Sequence, residues 1–280
     1  ATGQLPPNYR ARELDFAKKL NANLKKSKST SAFAWQEAGP TDVGGRTRAL
    51  AVDVANPNTI IAGGVSGGIW KSTDKGVTWT MKSTTSQILS VSSIAQDTRA
   101  GNTSTWYFST GEFTSNSATG GGGAFFRGTG IFKSTDNGET WTKLNSANVP
   151  INPFTSQFNY VSRIVVSPAT GSVFISSNIF GIYRSQNGGT SWARVRGATS
   201  AHTYSDVIVA KSGTVIVYLS KSGNGSGTPG IFKSTDDGNT WTSITPSTYP
   251  TTSYTRAYLA SAPSNTDILY VLTDNGGAQS

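Results

Sequence analysis

The fold follows from one stretch, Gly130-Ile131-Phe132-Lys133-Ser134-Thr135-Asp136-Asn137-Gly138-Glu139-Thr140-Trp141. Three more copies of this pattern occur, ending at Trp79, Trp192 and Trp241. A repeat with a period of about 50 residues is typical of units that stack or are arranged radially. The repeat therefore indicates the architecture before any catalytic motif is considered.

Each copy has the residues of a tight hairpin between two strands. A strand that alternates apolar and polar residues enters a Ser-x-Asp-x-Gly turn, and a second strand begins at Thr-Trp. The acidic or amide side chain accepts bonds from nearby N–H groups, and the glycine adopts the positive φ that the turn needs. We predict a structural role for these residues, because four equivalent copies are not expected of one catalytic or calcium site. The set comprises Asp74, Asp136, Asn187 and Asp236, with Trp79, Trp141, Trp192 and Trp241, each Trp burying its ring between neighbouring units.

These turns resemble the Asp-box, and the chain is similar to the Asp-box (BNR) β-propellers. That superfamily includes bacterial sialidases, xyloglucan-degrading hydrolases, sortilin-type receptors and a photosystem assembly factor. The resemblance spans roughly residues 32–280. It implies an all-β propeller of four-stranded blades, with strand A at the central channel and the Asp-box joining strands C and D. It leaves the function open, because the superfamily contains both enzymes and binding proteins.

The repeats predict two regions, a basic N-terminal segment (1–31) and a propeller of about four and a half blades (32–280). Phe33-Ala34-Trp35-Gln36, within residues 32–38, is interpreted as a strand D that closes the ring. Tyr258–Ala260 and Ile268–Leu272 supply strands A and B of a fifth blade without strand C. We therefore expect an incomplete propeller that belongs to a longer chain.

The composition excludes several kinds of chemistry. The chain has no Cys and a single His, His202, which is expected to be solvated in a loop, so disulfides and Cys/His metal sites are not predicted. No cofactor is implied. Charged residues are only 14% of the chain, a proportion that suits an extracellular β-protein. No run approaches the ~20 apolar residues of a membrane span. No signal peptide is visible, so a processed N-terminus is expected.

The net charge of +9 is concentrated in residues 1–31, which contain seven basic and two acidic side chains. Within Tyr9–Leu24, the side chains of Phe16, Ala17, Leu20 and Leu24 share one helical face. This pattern predicts an amphipathic helix that packs against the propeller or a partner. Nucleic-acid binding is not predicted, because no base-stacking or groove-reading motif accompanies the basic residues.

A second resemblance lies at the start of the propeller. Trp35–Pro40, Gly44–Asp53 and Gly63–Trp70 look like the opening blade of bacterial surface proteins exported by the type IX system. The resemblance implies a secreted or cell-surface location, with a surface assembly or the secretion machinery as partners.

The loops between strands D and A and between B and C meet at the channel mouth, where propellers usually bind ligands. Glycoside hydrolysis normally needs two carboxyl groups about 5–9.5 Å apart. We predict Glu112, which ends a strand B, and Asp274, in a Thr-Asp-x-Gly-Gly segment similar to one in xyloglucan hydrolases, as catalytic candidates. The alternative is that both carboxylates bond loop N–H groups.

Basic and aromatic residues near the same loops predict a ligand site. Arg46 or Arg48, Arg163 and Arg256 each stand where a strand A begins, and three guanidinium groups could clamp one anionic group. Sialidases hold a carboxylate in this way, but the chain has no Arg-Ile-Pro motif of that family. Asp206 and the loop residues Phe125 and Phe126 are assigned to the same ligand site.

The sequence thus predicts a secreted or surface-attached binding module that recognises a glycan or a protein at the channel mouth. One alternative is a glycoside hydrolase acting on a polysaccharide, more like a xyloglucanase than a sialidase. A second alternative is a structural propeller within a larger surface adhesin or assembly.

Overall fold

A computed structural model describes residues 15, 16, 19, 46–84, 90–112, 126–147, 149, 156–199, 202–220, 227–249, 256–262 and 264–274, without the side chains of residues 266, 267 and 274. The described residues form five antiparallel sheets, four of them four-stranded and the last two-stranded. In sequence order the sheets are five blades of a β-propeller, so the predicted fold class is confirmed.

Blades 1 to 4 run from strand A to strand D in chain order, and blade 5 has two described strands. Blade 1 consists of β1 Thr47–Val52, β2 Ile60–Gly64, β3 Gly68–Ser72 and β4 Thr80–Met81, and blade 2 of β5 Val91–Gln96, β6 Trp106–Thr110, β7 Ile131–Ser134 and β8 Thr142–Lys143. Blade 3 consists of β9 Val161–Val166, β10 Val173–Ser177, β11 Gly181–Ser185 and β12 Ala193–Arg196, and blade 4 of β13 Ser205–Val209, β14 Val215–Leu219, β15 Gly230–Ser234 and β16 Thr242–Ser243. Blade 5 consists of β17 Arg256–Ala262 and β18 Asn265–Asp274. A short 3₁₀ turn covers Asn145–Ala147.

The hydrophobic core lies between successive blades. Four clusters of buried residues fill the interfaces between blades 1 and 2, 2 and 3, 3 and 4, and 4 and 5. On the blade 2 side of the blade 1–2 interface, Phe108 stacks on Phe132 at 4.6 Å between ring centroids, and Trp141 meets Phe108 edge-on at 4.8 Å. Alternating apolar residues on strands A, B and C supply these faces, as period-2 strands require.

The turn between strands C and D has the predicted geometry in blades 1 to 4. In blade 2, Ser134 Oγ donates to Asp136 at 2.7 Å, and the Thr140 N–H donates to the same carboxylate at 2.9 Å. The third blade keeps this arrangement with Asn187 and Ser191. A positive φ recurs inside the turn, at Lys75, Asn137, Gly188 and Asp237.

A further contact joins the turns of blades 2, 3 and 4 to the preceding blade. The basic residue of strand C donates to the backbone oxygen of the positive-φ residue in the next blade's turn. Lys71 Nζ binds the Asn137 oxygen at 2.7 Å, Lys133 Nζ binds the Gly188 oxygen at 3.3 Å, and Arg184 binds the Asp237 oxygen. We call these three contacts the interblade latches. The fourth basic residue, Lys233, is exposed and has no partner among the described residues.

The tryptophans of the four turns differ in their burial. Trp141, Trp192 and Trp241 pack against interblade clusters as predicted. The expectation was wrong for Trp79, which is 39% exposed, because no described blade lies against its side of blade 1.

The predicted ring-closing strand at residues 32–38 lies outside the described residues. Of the predicted N-terminal helix, only Asp15, Phe16 and Lys19 are described, all in helical conformation, with an ion pair of 2.8 Å between Lys19 and Asp15.

Candidate functional site

The strands A of the blades begin at one face, and a pocket opens there at the channel mouth. It has a volume of about 390 Å³, including space open to solvent. Its lining comes from all five described blades: Arg48, Gly111, Glu112, Ser162, Asn178, Tyr204, Ser205, Asp206, Arg256, Ala257 and Tyr258. The fold thus brings together residues that are more than 200 positions apart in the chain.

Glu112 is held at the pocket by the backbone and by two arginines. Directly after β6, it forms an isolated antiparallel bridge with Phe126, with N···O distances of 2.7 and 2.9 Å. Arg46 donates to both carboxylate oxygens, and Arg48 Nη1 donates to Oε1 at 2.8 Å. The Glu112 side chain is only 1% exposed, whereas Arg46 is 43% exposed. Two guanidinium groups therefore compensate one buried carboxylate.

Asp206 occupies a second buried position, where blades 3, 4 and 5 meet. Its Oδ1 accepts from Arg163 Nε at 2.9 Å, and its Oδ2 accepts from the Leu259 N–H at 2.8 Å. Burial raises the pKa of Asp206 to about 6, although the positive charge of Arg163 and the Leu259 bond act in the opposite direction.

Tyr258 lies between two arginines from opposite ends of the described propeller. Its hydroxyl accepts from Arg48 Nη2 at 3.4 Å and from Arg256 Nη2. The Arg256 guanidinium also lies over the Tyr258 ring, 4.8 Å from its centroid. Tyr258 is 38% exposed, so part of the ring and the two guanidinium groups face the pocket.

The structure brings together most of the residues predicted for a ligand site. Arg48, Glu112, Asp206 and Arg256 line the pocket, and Arg46 and Arg163 bind the two carboxylates behind it. The backbone of Asp274 is opposite Arg256 in the β17–β18 register; its side chain is not described. Phe125 lies outside the described residues, while Phe126 is half-buried and contributes its backbone to the Glu112 bridge. Whether any of these residues binds a ligand or catalyses a reaction stays a prediction.

Sequence reasoning missed Tyr258, although its position was readable. Tyr258 follows Arg256 by two residues on β17, so both side chains point to the same side of the strand. Asn178, which also lines the pocket, had no comparable signal in the sequence.

The prediction that His202 is solvated was wrong. Its side chain is fully buried, and Nδ1 lies 2.6 Å from the Ser220 oxygen. Burial lowers the pKa of His202, because the charged imidazolium would lose its hydration. Among the described residues, no group of three or more His, Cys, Asp or Glu side chains could hold a metal ion.

The two described pocket carboxylates are not arranged as a free acid–base pair. Each oxygen of Glu112 and of Asp206 already accepts a hydrogen bond from the protein. Such carboxylates orient arginines and fix the blade junctions, which is what a preformed binding pocket needs.

Comparisons with known proteins agree with the fold. No family model matches the sequence. A xyloglucanase from Hypocrea jecorina (strain QM6a) is 27% identical over 221 residues, which cover 73% of this chain and 26% of that protein. An ancestral GH74 enzyme superposes with a TM-score of 0.59 at 20% identity, covering 79% of this chain and 28% of the other.

The GH74 xyloglucanase of Xanthomonas campestris superposes with a TM-score of 0.51 at 17% identity, over 74% of this chain and 31% of the other. The chain thus spans about a quarter to a third of these proteins. At this identity the structural likeness shows the β-propeller fold. None of the described helical residues belongs to a segment with the length and apolar character of a membrane span.

Proposed function

We propose that the chain is part of a glycoside hydrolase-type β-propeller that binds a polysaccharide at its channel-mouth pocket. The observation that carries the proposal is the pocket itself, where a partly exposed tyrosine stands among oriented arginines and buried carboxylates. An aromatic ring with fixed polar groups around it is the usual composition of a site that binds a polar ligand with an apolar face, such as a sugar.

Xyloglucan is the first ligand to test, because the curated relative is a xyloglucanase. Electrophoresis of the native protein through gels that contain xyloglucan, another soluble β-glucan or no polysaccharide measures binding directly. We expect retarded migration in at least one polysaccharide gel. Unchanged migration with all of them would refute glycan binding and favour the reading as a structural or protein-binding propeller.

Hydrolysis is the second candidate activity. Asp274 supports it, because its backbone pairs with Arg256 at the edge of the pocket and its Thr-Asp-x-Gly-Gly segment is similar to one in xyloglucan hydrolases. In Asp274→Asn we expect release of reducing ends from the bound polysaccharide to disappear while gel retardation remains. Release that continues at the wild-type rate would exclude Asp274 as a catalytic residue. A matched Glu112→Gln variant tests the other catalytic candidate in the same assay.

We also propose that the protein is extracellular, that it belongs to the Asp-box propellers and that it is exported by the type IX system. They are supported by the four turn repeats and by the composition of the surface, and immunolabelling of intact cells tests the location.

A further inference from the structure

One polar side chain of the pocket lining has no partner among the described residues. Asn178 lines the pocket and is only 5% exposed. Its carboxamide makes no hydrogen bond with any described residue, and its two polar atoms are not sealed from solvent. The small exposed area of Asn178 therefore opens on the pocket.

The other polar side chains of the lining are already engaged. Ser162 binds the Ser176 hydroxyl at 2.8 Å and the Ser205 oxygen at 3.0 Å, and the Ser205 hydroxyl donates to the Ser177 oxygen at 3.2 Å. The charged and aromatic residues of the lining also interact with other groups of the protein. Since buried polar groups nearly always have a partner, the free carboxamide of Asn178 requires an explanation of its own.

The backbone at Asn178 is held on both sides and is strained. The Asn178 N–H donates to the Tyr160 oxygen at 3.0 Å, and the Ile179 N–H donates to the His202 oxygen at 2.8 Å. Ile179 has a φ of 65°, the one positive value of a described non-glycine residue outside the strand C–D turns. A β-branched residue is an outlier in this region, and strain of this kind is typical of ligand sites. The loop therefore keeps Asn178 in one backbone conformation at the pocket.

A free carboxamide has the chemistry to bind the hydroxyl groups of a sugar. Its Oδ1 accepts and its Nδ2 donates, so it can bind two adjacent hydroxyl groups, one as the donor and the other as the acceptor. We propose that Asn178 is a specificity-determining residue that binds two adjacent hydroxyl groups of a neutral sugar. The inference rests on the proposed binding of a polysaccharide and names the group that recognises its hydroxyls, with Tyr258 providing the apolar contact in the same pocket.

Asn178→Leu tests this role, because leucine has nearly the shape of asparagine without its polar atoms. In calorimetric titrations with a xyloglucan oligosaccharide we expect about tenfold weaker binding, the effect of two neutral hydrogen bonds. The midpoint of thermal unfolding without ligand should equal or exceed that of the wild type, since leucine leaves no polar group unpaired. A residue kept for the fold alone would lower the midpoint instead.

Two further variants separate the hydrogen bonds from shape and from general effects of substitution. Asn178→Ala leaves space where leucine fills it and should weaken binding to a similar extent. Asn58→Ala is its matched control, because Asn58 lies in the A–B turn of blade 1, at the opposite end of the strands, with an exposed side chain. Its affinity and its midpoint should both equal those of the wild type.

The outcomes separate this inference from the proposed function. Wild-type affinity in either Asn178 variant would overturn the role of Asn178 but leave glycan binding intact. A midpoint that falls together with the affinity in both variants would also overturn it, because the loss would then come from the fold. A wild-type protein that neither binds the oligosaccharide nor is retarded in any polysaccharide gel would refute the proposed function and this inference with it.

Discussion

At the scale of single residues, Asp136 shows how one side chain closes a turn. Its carboxylate accepts from the Thr140 N–H and hydroxyl and from the Ser134 hydroxyl. Burial opposes ionisation, but these bonds outweigh it and hold the pKa of Asp136 at about 2, below the ordinary 3.8. A folded-state pKa that is lowered means that the bonds stabilise the fold above pH ~4 and are lost as the pH falls towards 2.

Asp136→Asn tests this linkage. Thermal or chemical unfolding should show a loss of about 1 kcal/mol at pH 7, because an amide accepts weaker bonds than a carboxylate and the turn is exposed to solvent. The difference from the wild type should vanish near pH 2, where Asp136 is protonated. Asn187→Asp, which introduces the carboxylate into the one turn that lacks it, should shift stability the other way. An equal loss at both pH values would contradict the account.

Asp206 predicts a pH dependence of stability. Its pKa is raised by burial to about 6, above the ordinary 3.8, because the charged form loses hydration in the fold. The charged groups around it are Arg163, Arg256 and, across the pocket, Arg48 and Glu112. Since the folded-state pKa lies above the unfolded value, the free energy of unfolding should fall as the pH rises from 5.5 to 7.5.

Urea unfolding at the two pH values checks the prediction. In Asp206→Asn the dependence should flatten, because the amide does not titrate. A free energy of unfolding that rises with pH in the wild type, or an unchanged dependence in Asp206→Asn, would contradict the prediction.

At the scale of elements, the interblade latches give a role to the basic residue that precedes the last Ser of strand C in blades 1 to 3. In the turns of blades 2, 3 and 4, the carbonyl of the positive-φ residue points at the preceding blade. The side chain of Lys71, Lys133 or Arg184 donates a hydrogen bond to that carbonyl oxygen. Lys71 additionally bonds Glu139 at 2.7 Å, so it connects blade 1 to blade 2 twice. Pattern alone does not reveal this role, because a basic residue on a strand is usually solvated.

The chain contains a matched pair for testing the latch. Lys71→Met removes two bonds made by a buried ammonium group and should lower the free energy of unfolding by about 2 kcal/mol. Lys233→Met changes the same position of the repeat, where the side chain is exposed, and should stay within about 0.5 kcal/mol of the wild type. Equal losses in the two variants, measured by urea unfolding, would show that the latch contributes no stability.

At the scale of the whole molecule, the repeat in the sequence predicts the β-propeller, and the propeller determines where the pocket lies. Four turns with Ser, an Asp or Asn, and Gly locate the blades, and strands A then necessarily begin at one face. Arg46, Arg48, Arg163, Arg256, Asp206 and Glu112 could therefore be assigned to a common region before any coordinates were known. Which carboxylate binds which arginine could not be predicted, since it depends on side-chain packing between blades that are distant in the sequence.

The wrong and the missing predictions also result from packing between blades that are distant in the sequence. Trp79 and His202 were misjudged because burial depends on which neighbours a blade has, not on the local pattern. Tyr258 was missed because its importance comes from Arg48, 210 positions away, and no short-range motif encodes that contact.

The central claim is that the channel-mouth pocket binds a glycan through Tyr258. The most direct test is a calorimetric titration of Tyr258→Ala with a xyloglucan oligosaccharide, beside Tyr270→Ala on the same hairpin. Tyr270 is 60% exposed and does not line the pocket. The account predicts binding that is at least roughly tenfold weaker in Tyr258→Ala and unchanged in Tyr270→Ala. Wild-type affinity in Tyr258→Ala, or equal losses in the two variants, would contradict it.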